Sequence, residues 1–181
     1  MFRRIAILLN RFFESRDNEF KNWDQKYIDY LQGDLQRTFG FAVGSHPAEC
    51  LSAAYSYLER VESIFKARYP QFADSTTLIW IGNVRIANES ALLFDDEQTR
   101  KFAERPSTDL AARKGYHAWV GIEGLIIDLT LLYYLEGRYD NLTRRQIIVA
   151  TRRLTNDYGQ PIEYFPYNSF TKTQLTQLAG L

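Results

Sequence analysis

The sequence predicts an α+β domain in which N-terminal helices pack against a small antiparallel sheet. Apolar residues recur at three- and four-residue steps through the first third of the chain, and β-branched and aromatic runs between turn residues fill its middle. No repeat, low-complexity tract or linker interrupts the pattern, and 181 residues suit one domain with its own core. Residues 1–181 are therefore read as one unit. It comprises an N-terminal helical segment over 1–40, a core over 45–131, and over 132–181 a C-terminal helix followed by an aromatic loop or strand.

Helical spacing links Ile5, Leu8, Leu9, Phe12 and Phe13, then Trp23, Tyr27, Tyr30 and Leu31, with Gly33 and Gly40 as expected breaks. A second helix is expected to start near Ser45-His46-Pro47, since proline suits a first turn and Glu49 stands third after a cap at His46. Its apolar stripe, Leu51, Ala54, Tyr55, Leu58, Val61 and Phe65, carries it to about Arg68. Thr76 to Ala87 reads as one strand or a short hairpin bent at Gly82-Asn83. The charged stretch Asp95 to Lys114 reads as a surface connection with one helical turn, a candidate lid. Tyr116 to Ile122 and Leu125 to Leu131 form two strands around Glu123-Gly124. A helix from Leu142 to Asn156 follows, with Thr143 and Gln146 as its capping box. The aromatic segment from Asp157 to Phe170 is expected to wrap the core as loop or strand.

Several function classes recede on composition. Lysine plus arginine number 22 and aspartate plus glutamate 22, so the net field gives no pull towards nucleic acid or an anionic membrane, and neither is expected as a partner. The apolar run from Ile5 to Leu9 is too short for a signal peptide, and Leu125 to Leu135, interrupted by Asp128, falls short of the roughly 20 residues that span a bilayer. The lone cysteine excludes an internal disulfide and a multi-cysteine zinc site and fits a reducing, cytoplasmic setting. The sequons at Asn88 and Asn141 carry little weight without export. No P-loop, GxGxxG or HExxH is present, and His46, four residues before Cys50, lacks further His or Cys companions. No cofactor and no metal are expected.

The single thiol is thus structural or reactive. A catalytic thiol needs a base, a group that orients the base, and surroundings that favour negative charge. Cys50 falls in the first turn of its expected helix, where unpaired backbone N–H groups and the helix dipole stabilise an exposed negative charge by roughly 0.3–1 kcal/mol. His117 and Asp128 lie on the two strands of the expected hairpin. A two-residue loop, Glu123-Gly124, pairs Ile122 with Leu125 and hence Trp119 with Asp128. His117 then becomes the diagonal neighbour of Asp128 on the same face, at a Cα separation of roughly 7–8 Å. A four-residue loop keeps this parity, and a three-residue loop breaks it unless a bulge compensates. Asp128 interrupts Leu125-Ile-Ile-Asp-Leu-Thr-Leu-Leu132, which marks it as a buried carboxylate in need of a partner. In this arrangement Asp128 orients His117, and His117 exchanges a proton with Cys50.

The order Cys50, then His117-Ala118-Trp119, then Ile126-Ile127-Asp128-Leu129-Thr130 resembles the transglutaminase-like superfamily, whose core is papain-like, over about residues 45 to 131. The resemblance implies a cysteine that begins a helix, with histidine and aspartate on successive antiparallel strands. It further implies thiol-dependent acyl transfer or hydrolysis of an amide or ester bond, as in peptidases, amidases, transglutaminases and arylamine acyltransferases, with a peptide, protein or small-molecule substrate. Here His46-Pro-Ala-Glu-Cys50-Leu51 stands where many members have glycine before and an aromatic residue after the cysteine. Some lineages have lost catalysis. A non-catalytic module that binds a protein or peptide, and a purely structural domain with a buried cysteine, are the competing readings.

Trp119 is a weak candidate for the oxyanion site or acyl pocket, with core packing as its alternative. Arg144, Arg145, Arg152 and Arg153 would give the late helix a cationic side, solvated or facing an acidic partner. Tyr164 to Phe170 either wraps the core or lines a substrate groove.

Overall fold

The computed structural model describes residues 23–39, 50–86, 92–106, 115–135, 147–151 and 162–179. Asp24 opens the first helix, its carboxylate accepting the backbone N–H of Lys26 at 3.1 Å, which satisfies a donor the first turn would otherwise leave unpaired. This helix, α1 (Gln25–Phe39), buries Ile28, Leu31, Leu35 and Phe39 along one stripe. The expected break at Gly33 is absent. Glycine costs about 1 kcal/mol in a helix interior, which the burial of Leu31 and Leu35 on either side outweighs. The second helix, α2 (Cys50–Arg68), ends where its stripe predicts and buries Cys50, Leu51, Ala54, Leu58, Val61 and Phe65, with Tyr55 half-buried at the edge. Arg68 donates through Nε to Asp34 of α1 at 2.7 Å. The expected helical run before residue 23, Gly40, and the expected helix start at 45–47 with His46 lie outside the described residues.

Five strands follow: β1 (Leu78–Ile86), β2 (His117–Ile122), β3 (Leu125–Asp128), β4 (Ile148–Thr151) and β5 (Ile162–Phe170). All neighbours are antiparallel, in the spatial order β4-β3-β2-β1-β5. Three further helices are α3 (Asp96–Glu104), α4 (Leu131–Tyr134) and α5 (Lys172–Ala179). The class is α+β, with helices against an antiparallel sheet.

Side-chain alternation divides the core in two. Ala118, Val120 and Ile122 of β2 join Ile79, Ile81, Ile127 and Val149 in packing against α1 and α2. Trp119 joins Val84, Ile86, Ile126, Ile148 and Tyr164 with Leu131, Leu132 and Leu135 around α4. At the far end, the Trp23 indole donates to the carbonyl of Glu123 at 3.0 Å, and its ring packs with Phe65, Tyr69 and Phe72. The start of α1 is thereby fastened to the β2–β3 turn.

Several elements depart from expectation. Of the two alternatives for Thr76 to Ala87, β1 is the single strand and not the hairpin, and the irregularity at Gly82 is a register shift against β5 between Ile81 and Gly82. The Asp95 to Lys114 stretch holds a full helix, α3. Asp95 caps it by accepting Gln98 N–H at 2.8 Å, and Thr99, Phe102 and Ala103 are buried beneath it; of the candidate lid over Asp95 to Lys114, residues 107–114 lie outside the described residues. The second hairpin strand ends at Asp128 instead of Leu131, because the Asp128 carboxylate accepts two backbone N–H groups beyond it and turns the chain into α4. Ile148–Thr151 is strand and not helix. A strand buried on both faces presents an apolar run that helical spacing also fits, and the β-branched residues Ile147, Ile148, Val149 and Thr151 decide between them. Thr143, Gln146 and the four arginines lie outside the described residues. Ile162–Phe170 takes the strand alternative. Helix α5 was not anticipated, although Thr171 and Gln174 form a reciprocal cap, Gln174 N–H to Thr171 Oγ1 at 3.2 Å and Thr171 N–H to Gln174 Oε1 at 2.8 Å.

Two glycines have opposite meanings. A Cβ on Gly82, which faces His117 across the β1–β2 ladder, would lie 2.1 Å from the Phe165 carbonyl oxygen and 2.8 Å from the Trp119 ring. A Cβ on Gly33 would meet only the end of the Arg37 side chain, at 3.4 Å. Gly82→Ala is expected to destabilise by about 1–3 kcal/mol through backbone displacement, and Gly33→Ala to stabilise by roughly 0.5–1 kcal/mol. Urea unfolding midpoints that moved the same way for both would refute this account.

Candidate active site

The hairpin sets the geometry. Glu123 and Gly124 both have positive φ, 50° and 75°, as a two-residue turn that matches strand twist requires. The ladder accordingly pairs Ile122 with Leu125 and Val120 with Ile127, which leaves His117 diagonal to Asp128. Their side chains meet, with His117 Nε2 at 2.6 Å from Asp128 Oδ2. Both are buried, at 2% and 1% exposure, so the charge of each depends on the other and on its remaining hydrogen bonds.

Asp128 has those bonds. Its Oδ1 accepts the backbone N–H groups of Thr130 and Leu131, each at 3.0 Å, and its Oδ2 accepts the Tyr164 hydroxyl at 2.8 Å as well as His117. Burial opposes the carboxylate charge, but the adjacent imidazolium and these hydrogen bonds outweigh it and hold the carboxyl below its ordinary range. Burial likewise opposes charge on His117, yet the charge and hydrogen bond of Asp128, helped by those of Cys50, raise its pKa from 6.5 to about 10.

Cys50 lies on α2, which packs against β2. The thiol lies 3.8 Å from the carbonyl oxygen of Tyr116, the residue before His117, and is 5% exposed. With Nε2 committed to Asp128, Nδ1 is the ring nitrogen left for the sulfur. The structure thus gathers Cys50, His117 and Asp128 at one place, the carboxylate hydrogen-bonded to the imidazole and the thiol near enough to help raise its pKa.

Trp119, on the same face of β2 as His117, is 2% exposed. Its ring centroid lies 6.0 Å from the imidazole and 5.0 Å from the Tyr164 ring, edge to face with the latter. Phe94 stacks on the imidazole at 6.3 Å. These contacts make Trp119 and Phe94 aromatic walls that keep water from the ion pair and fix the ring plane.

Further supports lay outside the sequence reading. Buried Asn83 accepts Phe94 N–H at 3.1 Å and donates to the Phe94 carbonyl at 2.8 Å, which places the stacked ring. The Thr99 hydroxyl lies 2.6 Å from the carbonyl of Gly115, two residues before His117. A polar residue inside the apolar run of β1 was a legible sign that Asn83 is buried and hydrogen-bonded. Tyr164 carried no local sign, since its contact with Asp128 depends on the order of all five strands. Among the described residues no group of three or more His, Cys, Asp or Glu is placed to hold a metal ion, and no helix is long and apolar enough to cross a membrane.

No protein-family model, curated protein or solved structure matches the chain.

The buried pair ties stability to pH. The raised His117 value contributes stability that is complete below pH 6.5 and lost as pH rises towards 10, and the lowered Asp128 value contributes stability that is lost only as pH falls below the ordinary carboxylate range. Tyr69 and Tyr167, both raised to about 12, act only above this window. The urea midpoint of the parent protein is expected to decline between pH 6.5 and 10. In His117→Gln the decline should flatten, on a protein less stable at pH 6 by about 3–5 kcal/mol because Asp128 has lost its partner. An unchanged slope in that variant would exclude the pair as its source.

Proposed function

We propose that the chain is a thiol-dependent acyltransferase or hydrolase acting on amide or ester bonds, built on a transglutaminase-like core, with Cys50 as nucleophile, His117 as proton carrier and Asp128 as its orienting group. One observation carries the reading: a buried imidazole held by a carboxylate at 2.6 Å, with the only cysteine of the chain near enough to help raise its pKa.

The chemistry follows from the charges. A ring held as imidazolium faces a sulfur that attacks as thiolate. The sulfur bonds to the substrate carbonyl carbon and the carbonyl oxygen takes the negative charge, with the Cys50 backbone N–H as one donor to it. As the tetrahedral intermediate collapses, the carbon–nitrogen or carbon–oxygen bond breaks and His117 gives its proton to the departing amine or alcohol, leaving a thioester. Water or an amine then attacks the thioester while the neutral ring takes its proton. The carbon–sulfur bond breaks, and thiolate and imidazolium are restored. Peptides, proteins and small amides or esters all fit this class of reaction.

A second reading rests on the 5% exposure of Cys50 and the direction of its thiol towards the Tyr116 carbonyl. In that reading the cysteine is a core residue, the His117–Asp128 pair braces the sheet, and the chain is a non-catalytic module that binds a protein or peptide.

Alkylation by iodoacetamide at pH 7, followed by intact mass, separates the two. The enzyme reading expects Cys50 to react faster than the thiol of an unstructured cysteine peptide, and at least an order of magnitude more slowly once His117→Ala removes the imidazolium. Circular dichroism checks that the variant remains folded. A parent protein whose thiol reacts only on unfolding would discard the enzyme reading.

A further inference from the structure

Asp128 holds four donors on two oxygens, which fills the acceptor capacity of a carboxylate. Two are backbone N–H groups that come with the turn into α4. The other two, His117 and Tyr164, converge on the same atom, Oδ2, at 2.6 and 2.8 Å. Tyr164 belongs to β5, at the opposite side of the sheet, with β1 and β2 between it and β3. Its register opposite Val84 and its edge-to-face contact with Trp119 aim the ring across the sheet, and it is buried at 4% exposure. A phenol ring placed only to fill the core would need no hydroxyl at the carboxylate oxygen that grips the histidine.

We propose that Tyr164 is a positioning residue of the Cys50–His117–Asp128 relay, which shares Oδ2 with His117 and so limits how tightly Asp128 holds the imidazolium. This rests on the thiol-enzyme reading. A carboxylate oxygen that already accepts one hydrogen bond offers less negative charge to a second donor, so the imidazolium releases its proton to a leaving group more readily. The relay needs this restraint, because a histidine gripped too tightly is a poor acid in the step that breaks the substrate bond. Among the described residues, the titratable side chains that face the pair are Cys50 from α2 and Tyr164 from β5. Phe94, Trp119 and the two backbone N–H groups are uncharged, and Tyr134 of α4 lies one ring further out, against Phe94.

The test is an NMR titration of the His117 ring in the parent protein and in Tyr164→Phe, alongside the alkylation rate of Cys50 as a function of pH. Loss of the hydroxyl should raise the His117 midpoint by roughly half to one pH unit, the size expected for one hydrogen bond, and move the alkylation profile in the same direction. Replacement of Tyr164 by p-aminophenylalanine, a weaker donor of the same shape, should give an intermediate midpoint and covers the case in which Tyr164→Phe does not fold. A role in packing alone would lower the melting temperature and leave the midpoint in place; an unmoved midpoint in a folded variant overturns the inference. An unreactive Cys50 in the parent protein overturns the thiol reading, and the relay role with it, and is seen without any Tyr164 variant.

Discussion

The hydrogen-bonded ion pair between His117 and Asp128 is the constraint around which the sheet is organised. Two opposite charges inside a protein are costly unless every lone pair and proton is used. Here three strands and a turn share that task. The β2–β3 hairpin brings the two side chains face to face. The end of β3 turns so that its own backbone solvates Asp128. From β5, Tyr164 supplies the last donor. Remove the pair, and the turn after β3, the reach of Tyr164 and the stack of Phe94 on the imidazole all lose their reason.

The hairpin and the second helix were legible because each rests on a local rule. Side-chain alternation with a two-residue loop dictates that His117 and Asp128 share a face, whatever the remaining strands do. The stripe from Leu51 to Phe65 fixes a helix over the same residues. What escaped was settled by distant chain. The run from Ile147 to Thr151 satisfies helical and strand patterns alike, and its β-branched residues together with its pairing with β3 select the strand. Gly82 looked like a bend because glycine often marks one, whereas its purpose is steric: the Phe165 carbonyl and the Trp119 ring occupy the space of a side chain. Tyr164 required the full strand order, which no local pattern encodes.

The site's members also differ in what they reveal. His117 and Asp128 are specified twice, by hairpin parity and by mutual charge compensation. Cys50 is specified by place: it lies on the helix that packs on β2, and its sulfur sits beside the backbone that leads into His117. Its low exposure means that reactivity depends on access as well as on electrostatics. In the proposed reaction the ion pair prepares the proton transfer, and access to the buried thiol governs whether a substrate can use it.

The Trp23 indole, fastened to the carbonyl of Glu123, ties the start of α1 to the end of the hairpin opposite His117 and Asp128. Glu123 occupies a left-handed conformation that a residue with a side chain adopts at a cost. A looser, three-residue connection would relieve that cost and rotate Asp128 away from His117. By hydrogen-bonding the tight form of the turn, the tryptophan couples the start of α1 to the one loop length whose parity sets the histidine and aspartate on a shared face.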